Sequence, residues 1–114
     1  MRTETFLSIL LLFALQPVLD AQTATAVISG SVTDSSGAAV PGARVLLTNQ
    51  ETNQAREMVT NTAGVYEFRA LPRGAYTLEA EAAGFKKEQV RAVQLTVAQN
   101  LQLDLKLEVG QVTE

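Results

Sequence analysis

The chain has 114 residues, a formal net charge of −3, nine Lys and Arg among twelve Asp and Glu, and neither cysteine nor histidine. This length allows one small domain with an appendage, and the scattered basic residues do not form the clustered basic face of a nucleic-acid-binding protein. We therefore predict no nucleic-acid partner. Histidine and cysteine supply the commonest general base, the thiolate nucleophile and the commonest metal-binding side chains. Because both are absent, we predict no catalytic residue, no metal ligand and no cofactor.

The first segment has the three-part layout of a secretory signal peptide. Arg2 precedes residues 6–15, which carry no charge and are too few to cross about 30 Å of hydrocarbon as a helix. A proline and small residues follow, and the predicted cleavage lies between Ala21 and Gln22, with Ala26 as the later limit. We therefore predict a signal peptide at 1–21 and an exported mature chain with no transmembrane span. The alternatives are an uncleaved membrane anchor and an N-terminal helix buried in the fold.

After Thr25 the apolar residues recur with a period of two, which indicates β-strands rather than helices. Turn-forming clusters rich in Gly, Pro, Asn, Asp and Ser separate these stretches. Short strands with a turn about every eight to twelve residues predict an all-β, antiparallel β-sandwich of seven strands. The predicted strands are residues 27–33, 43–48, 56–60, 65–69, 75–83, 93–97 and 101–109.

The clearest alternation lies in the last third of the chain. Five apolar residues at strict spacing of two, from Leu101 to Val109, predict one half-buried strand. Glycines are expected where the backbone must turn or approach closely, and Gly30 is predicted to leave space where the two sheets meet. The predicted aromatic part of the core is Tyr66, Phe68, Tyr76 and Phe85.

Several motifs in this order resemble the carboxypeptidase regulatory-like domain. They are ISGSVTD at 28–34, VPGARV at 40–45, TNTAGVYEF at 60–68, LPRGAYTL at 71–78 and AGF at 83–85. The resemblance implies a transthyretin-like (prealbumin-like) sandwich of seven strands, also described as a carbohydrate-binding-like fold, over residues 22–110. The name refers to a domain that accompanies carboxypeptidases, so the resemblance implies no peptidase activity.

A second resemblance concerns the arrangement of segments. A signal peptide, this domain and then EVGQVTE at 108–114 are similar to the N-terminus of Oar-like TonB-dependent outer-membrane receptors, in which a plug and a β-barrel follow. The resemblance implies a location in the periplasm or at the outer membrane, with residues 111–114 beginning a linker to a downstream region. The chain is then either a fragment of such a receptor or a free-standing periplasmic version.

Two groups of residues are candidates for a binding site. Tyr66 and Tyr76 could stack on sugar rings, but their alternation favours packing in the core. Asp34, Asn49 and Glu51 could supply oxygen ligands to calcium, but Asp and Asn at these positions ordinarily cap turns. For both groups the structural role is the prediction.

Two further groups carry charge or hydroxyl chemistry. Lys86, Lys87 and Arg91 form a small basic spot that is predicted to be a solvated face. The serines near the first strand have no histidine or evident lysine base, so a nucleophilic role is not predicted. They are Ser29, Ser31, Ser35 and Ser36.

Two functions fit these observations. The first is an interaction or accessory module in the cell envelope, whose unpaired strand edges could accept a strand of a protein partner. The second is a carbohydrate-binding module of a secreted or cell-surface protein.

Overall fold

The computed structural model describes residues 24–110. The predicted signal peptide at 1–21, the two residues after it and the predicted linker at 111–114 lie outside the described residues. Within 24–110 there is no helix, and therefore none that is long and apolar enough to cross a membrane. The strands are β1 (Ala26–Asp34), β2 (Arg44–Asn49), β3 (Ala55–Val59), β4 (Val65–Leu71), β5 (Gly74–Glu81), β6 (Glu88–Leu95), β7 (Asn100–Gln102) and β8 (Leu105–Leu107).

The strands form two sheets packed face to face. In the first sheet β1 is central, antiparallel to β4 on one side and parallel to β7 and β8 on the other. The second sheet has the order β3-β2-β5-β6 and is antiparallel throughout. The all-β sandwich predicted from the period-two pattern is thus confirmed.

The core lies between the sheets and is made by alternate residues of most of the strands. Ile28 and Val32 of β1, Val45 and Leu47 of β2, and Leu78 of β5 are fully buried, as the spacing of two requires. Three of the four predicted core aromatics are also buried, and Tyr66 and Phe68 pack with their ring centroids 5.9 Å apart. Phe85 is only half-buried and packs against the rim of the core.

The last predicted strand differs from expectation in two respects. It is divided into β7 and β8, giving eight strands, and both parts run parallel to β1 rather than antiparallel. The register is unchanged across the break, since Ser29 pairs with Gln102 and Val32 with Leu105. Alternation alone could not show this, because parallel and antiparallel strands with one buried face share the same period.

The ends of the last two predicted strands were also placed too late. β6 begins at Glu88 and ends at Leu95, whereas the prediction was 93–97. Val97 and Val109 were assigned to buried faces but are 53% and 73% exposed. An apolar residue that continues the alternation beyond the end of the opposite sheet has nothing to pack against.

Two of the strands contain a β-bulge. In β4 two residues, Arg69 and Ala70, oppose a single residue of β1, and Ala70 has φ 58°. In β6 the bulge opposite Thr77 includes Ala92 with φ 56°. A positive φ raises the conformational energy of an alanine. Both bulges are therefore set by the pairing of the strands and not by the conformational freedom of a glycine.

Candidate functional site

The chain enters and leaves the sandwich at opposite ends. Because β7 and β8 run parallel to β1, Val27 pairs with Asn100 at one end and Asp34 pairs with Leu107 at the other. The nine residues of β1 place these ends about 26 Å apart. The sandwich can therefore join a segment before it to a segment after it in line.

The exit is held by backbone hydrogen bonds to the loop between β5 and β6. The N–H of Lys86 donates to the carbonyl of Glu108 at 2.8 Å, and the N–H of Gly110 donates to the carbonyl of Gly84 at 3.1 Å. A Cβ on Gly110 would lie 2.6 Å from Cγ of Lys86, so glycine is needed for this close approach. These contacts fix the direction in which the chain leaves the domain.

The break between β7 and β8 is a specific crossing over Gly30. The hydroxyl of Tyr66 donates to the carbonyl of Leu103, and a Cβ on Gly30 would overlap that carbonyl. Ser31, which loses its ladder partner here, instead donates its N–H to Oδ1 of Asp104 at 2.9 Å. Gly30 was predicted to leave space for the opposite sheet. The atom that approaches it is instead the carbonyl oxygen of Leu103, which lies between β7 and β8 in the same sheet as Gly30.

Hydrogen bonds and burial change the acidity of two groups at this crossing. Burial, and then the nearby charge of Asp104, raise the pKa of Tyr66 well above its usual value. The N–H of Ser31, with smaller contributions from the side chains of Gln102 and Ser31, lowers the pKa of the Asp104 carboxyl. Tyr66 is therefore a neutral donor and Asp104 a charged acceptor at neutral pH.

One edge of the second sheet, β3, is continuous and unpaired within the described residues. β3 pairs with β2 over five consecutive positions without a bulge. Hydrogen bonds from Asn49 N–H to Gln54 carbonyl and from Thr60 N–H to Ala43 carbonyl bracket this ladder. Because bonded and non-bonded pairs alternate in antiparallel strands, the backbone groups of Ala55, Glu57 and Val59 point away from β2.

The outer face of the second sheet carries a network of ion pairs. Nε of Arg44 lies 2.8 Å from Glu57 and its Nη1 lies 3.1 Å from Glu81. Lys87 lies 3.8 Å from Glu81 and 4.0 Å from Glu79. These side chains are solvated, so the pairs contribute little to the stability of the domain. The network nevertheless defines the charge pattern that a partner would meet.

A shallow cleft of about 430 Å³ lies beside this network. In this cleft the half-buried ring of Phe85 lies next to charged side chains. Phe85 was predicted to belong to the core, and the sequence held no signal that it lies at a rim. The cleft is lined by Gly42, Arg44, Glu81, Ala82, Ala83, Phe85 and Lys87.

The two tyrosines considered as sugar-stacking residues are core residues. Tyr66 is 2% and Tyr76 3% exposed. The hydroxyl of Tyr76 donates to the carbonyl of Pro72 at 2.6 Å, which satisfies its one polar atom. Neither ring offers a face to a ligand.

Two of the three residues considered as calcium ligands, Asp34 and Asn49, cap turns with their side-chain oxygens. Oδ1 of Asp34 accepts from the N–H and hydroxyl of Ser36 and from the N–H of Ala38, while Oδ1 of Asn49 accepts from the N–H of Glu51. The Ser36 hydroxyl is the main cause that lowers the pKa of Asp34. No cluster of three acidic side chains suited to a metal is present within residues 24–110.

Lys87 and Arg91, two residues of the predicted basic spot, contact different side chains. Lys87 faces Glu79 and Glu81, and Nε of Arg91 donates to Oε1 of Gln89 at 2.8 Å. Among the serines, Ser31 donates its hydroxyl to Asp104. The charged residues that sequence reasoning missed are Arg44 and Glu57, which only the strand register brings together across β2 and β3.

The family model described as the carboxypeptidase regulatory-like domain matches residues 27–108. The match spans every strand of both sheets. The chain belongs to this family. No curated protein sequence matches it.

Solved structures share the fold of this carboxypeptidase regulatory-like domain at low sequence identity. Catechol 1,2-dioxygenase from Acinetobacter sp. is 14% identical, with a TM-score of 0.60, over 83% of this chain and 56% of that one. The Bacillus anthracis TIE protein is 18% identical, with a TM-score of 0.60, over 75% of this chain and 17% of that one. A putative carbohydrate binding protein from Bacteroides uniformis is 19% identical, with a TM-score of 0.59, over 72% and 40%. The chain thus spans little more than half, or less, of these proteins, and the likeness concerns the fold alone.

The motifs that carry the family resemblance hold the structural contacts of this domain. Gly30 and Tyr66 make the crossing with Leu103. Gly42 has φ 72° after Pro41 and donates its N–H to the Thr60 carbonyl. The regulatory-like motifs therefore supply contacts that hold the sandwich together.

Proposed function

We propose that this chain is a non-catalytic, exported module that acts in the periplasm as the N-terminal accessory domain of a TonB-dependent outer-membrane receptor. The observation that carries the proposal is the course of the chain through the sandwich, from Val27 at one end to Gly110 at the other. A domain with its two connections at opposite ends is suited to a position between other parts of a larger protein.

Three further observations support the proposal. The inventory of the whole sequence lacks cysteine and histidine, so the side chains most often used as nucleophile and general base are missing. The matching family is described as a regulatory-like domain, and the resemblance implies a domain that accompanies an enzyme and is not itself one. The layout of residues 1–21 and 108–114 supports the receptor context through its similarity to Oar-like receptors.

The coding sequence beyond Glu114 tests the receptor context. We expect the reading frame to continue into a plug followed by a long series of amphipathic strands of about ten residues each. A stop codon directly after Glu114 in intact flanking sequence would leave a free-standing periplasmic module and contradict the receptor assignment.

Export is tested separately, by expressing the full-length chain in a Gram-negative host. We expect the product in the periplasmic fraction, with a mass that corresponds to removal of residues 1–21. A full-length mass in the membrane fraction would instead indicate the uncleaved anchor.

The second candidate function is carbohydrate binding, and the cleft beside Phe85 is the observation that favours it. A ring next to Arg44, Glu81 and Lys87 combines apolar and charged contacts of the kind that bind sugars. A glycan array with the processed chain, with Phe85→Ala as the matched variant, tests this candidate. Binding that is lost in the variant would support it, and no binding at millimolar sugar would remove it.

A further inference from the structure

We propose that the free edge of β3 docks an extended segment of a partner protein, which adds to it as an antiparallel strand and carries Lys or Arg opposite Glu57. The inference deepens the proposed function as an interaction module and rests on it for the existence of a protein partner. It names the edge used, the direction of the added strand and the charge of the residue that is recognised.

The sheet edges differ in their ability to accept a strand. β4 and β6 each contain a bulge, at Ala70 and at Ala92, and a bulge twists an edge away from pairing. The β7–β8 edge is interrupted where Leu103 turns its carbonyl inward. Within residues 24–110, β3 is the edge strand whose ladder is regular along its whole length.

The backbone of β3 presents three positions to an incoming strand. Ala55, Glu57 and Val59 have their N–H and C=O groups directed away from β2, as the bracketing hydrogen bonds require. No other strand of the described residues pairs with this side. A partner strand could form up to about six backbone hydrogen bonds here, which is the basis of recognition by strand addition.

The ion-pair network beside β3 contains more carboxylates than cations. Arg44 contacts both Glu57 and Glu81, and Lys87 contacts both Glu79 and Glu81, so three carboxylates share two cations. Glu57 is the member of this network that lies on the edge strand itself. A cationic residue directly opposite Glu57 would complete the pairing across the new strand pair.

The inner face beside β3 favours an apolar neighbour. Met58 is 40% exposed although it projects on the same side as buried Val45. On the same side, Nη1 of Arg56 donates a hydrogen bond to the Arg69 carbonyl at 2.7 Å, and Cζ of Arg56 lies 6.0 Å from the Phe68 ring centroid. The partner residue opposite Met58 is therefore expected to be apolar.

A second copy of this chain fits the edge less well than a partner with a basic residue. A two-fold axis at Glu57 would oppose Glu57 to its own copy, and an axis at Arg56 would oppose two arginines, both of which are unfavourable. An axis at Met58 avoids like charges but would place Ala55 opposite Asn61 of the second copy. The N–H of Asn61 is already bonded to the Val65 carbonyl, so the ladder would be shorter. Like charges in two registers and the shortened ladder in the third thus favour a partner of different sequence.

The test uses a synthetic seven-residue probe peptide, Thr-Val-Leu-Lys-Thr-Thr-Thr with blocked ends, titrated into the ¹⁵N-labelled processed chain. Its lysine is designed to lie opposite Glu57 and its leucine opposite Met58. We expect amide shifts centred on Ala55, Glu57 and Val59 at peptide concentrations up to about 1 mM. Replacing the peptide lysine by glutamate should weaken binding about fivefold.

Charge reversal on the protein provides the specificity control. Glu57→Lys should weaken binding of the lysine peptide and restore binding of the glutamate peptide, while Glu67→Lys, an equal charge change on β4, should leave both affinities unchanged. A peptide N-methylated at the positions facing β3 should not bind. That control needs no protein variant.

Three results would overturn the inference. They are the absence of shifts in β3, shifts that do not depend on the charge opposite Glu57, and concentration-dependent dimers in sedimentation that block the peptide. The receptor assignment is judged independently, by the coding sequence beyond Glu114. Peptide binding with no downstream plug would retain the docking edge and reject the receptor, and the reverse pattern would do the opposite.

Discussion

At the scale of single residues, Thr60 joins segments of the chain that lie far apart in sequence. It is buried, its hydroxyl donates to the Val40 carbonyl at 2.7 Å, and the same oxygen accepts from the Ala43 N–H at 2.8 Å. Both partners lie in the turn that connects β1 to β2. The hydroxyl therefore closes the exit end of the second sheet.

Thr60→Val should destabilise the domain by about 2 kcal/mol, because the shape is kept while two buried backbone groups lose their partner. Thr60→Ser, which keeps the hydroxyl, is the matched control and should cost clearly less. The free energy of unfolding measured in urea distinguishes the two. Equal losses for both variants would show that the methyl group and not the hydroxyl matters.

Gly30 is required for a steric reason. Its added Cβ would overlap the Leu103 carbonyl and lie 2.9 Å from the Tyr66 hydroxyl. We expect Gly30→Ala to destabilise the domain by at least about 2 kcal/mol, since overpacking at backbone cannot be relieved by a side-chain rotation. Thermal unfolding followed by circular dichroism measures the effect.

Gly37→Ala is the control for Gly30→Ala. Gly37 has φ 88° and a Cβ added to it would have nothing within 4 Å, so its substitution reports backbone strain alone, about 1 kcal/mol. Equal effects at both positions would contradict the close approach at Gly30.

At the scale of elements, the divided last strand depends on Asp104. Its carboxylate replaces the missing ladder partner of Ser31, and this hydrogen bond lowers the pKa of Asp104 in the folded state. A lowered pKa contributes stability above the unfolded value of about 3.9, and this contribution is lost as the pH falls through the folded value. Asp34, whose pKa is also lowered, acts in the same direction.

Asp104→Asn should therefore reduce the loss of stability between about pH 4 and pH 2. The amide oxygen can still accept from Ser31 but no longer titrates. Urea midpoints measured across this range give the slope for each protein. Identical slopes would show that Asp104 does not contribute to acid sensitivity, and Asp34→Asn provides a comparison of the same chemistry at a turn.

Most of the elements could be predicted because most of the strands have one buried face. Ile28 and Val32 in β1, and Leu78 and Ala80 in β5, are buried as the alternation requires. The turns were marked by Gly42 and Gly64, whose φ values are positive. In these places the local pattern and the final packing agree.

The remaining features depend on contacts between distant residues. The break between β7 and β8 depends on Tyr66, which is distant in sequence, and on the contact that Asp104 makes with Ser31 of β1. The bulge at Ala92 is fixed by pairing with β5, and no glycine at this position indicates a bulge in the sequence. The β3 edge and its charge pattern appear only when the register sets Glu57 beside Arg44. None of these leaves a periodic signal in the sequence.

At the scale of the whole molecule, the domain is a sandwich whose connections lie at opposite ends and whose regular free edge is β3. The first property suits a module held in line within a longer protein, and the second suits a module that engages a partner. Both follow from the topology of the sheets. Neither requires a reactive side chain.

The course of the chain is tested most directly by the distance between its entry and its exit. Because the sequence contains no cysteine, Thr25→Cys and Glu108→Cys can carry two spin labels without background. Parallel pairing of β1 with β7 and β8 predicts a label separation of about 33 Å with a narrow distribution. An antiparallel last strand would bring the labels within about 10 Å, and that result would contradict the in-line arrangement.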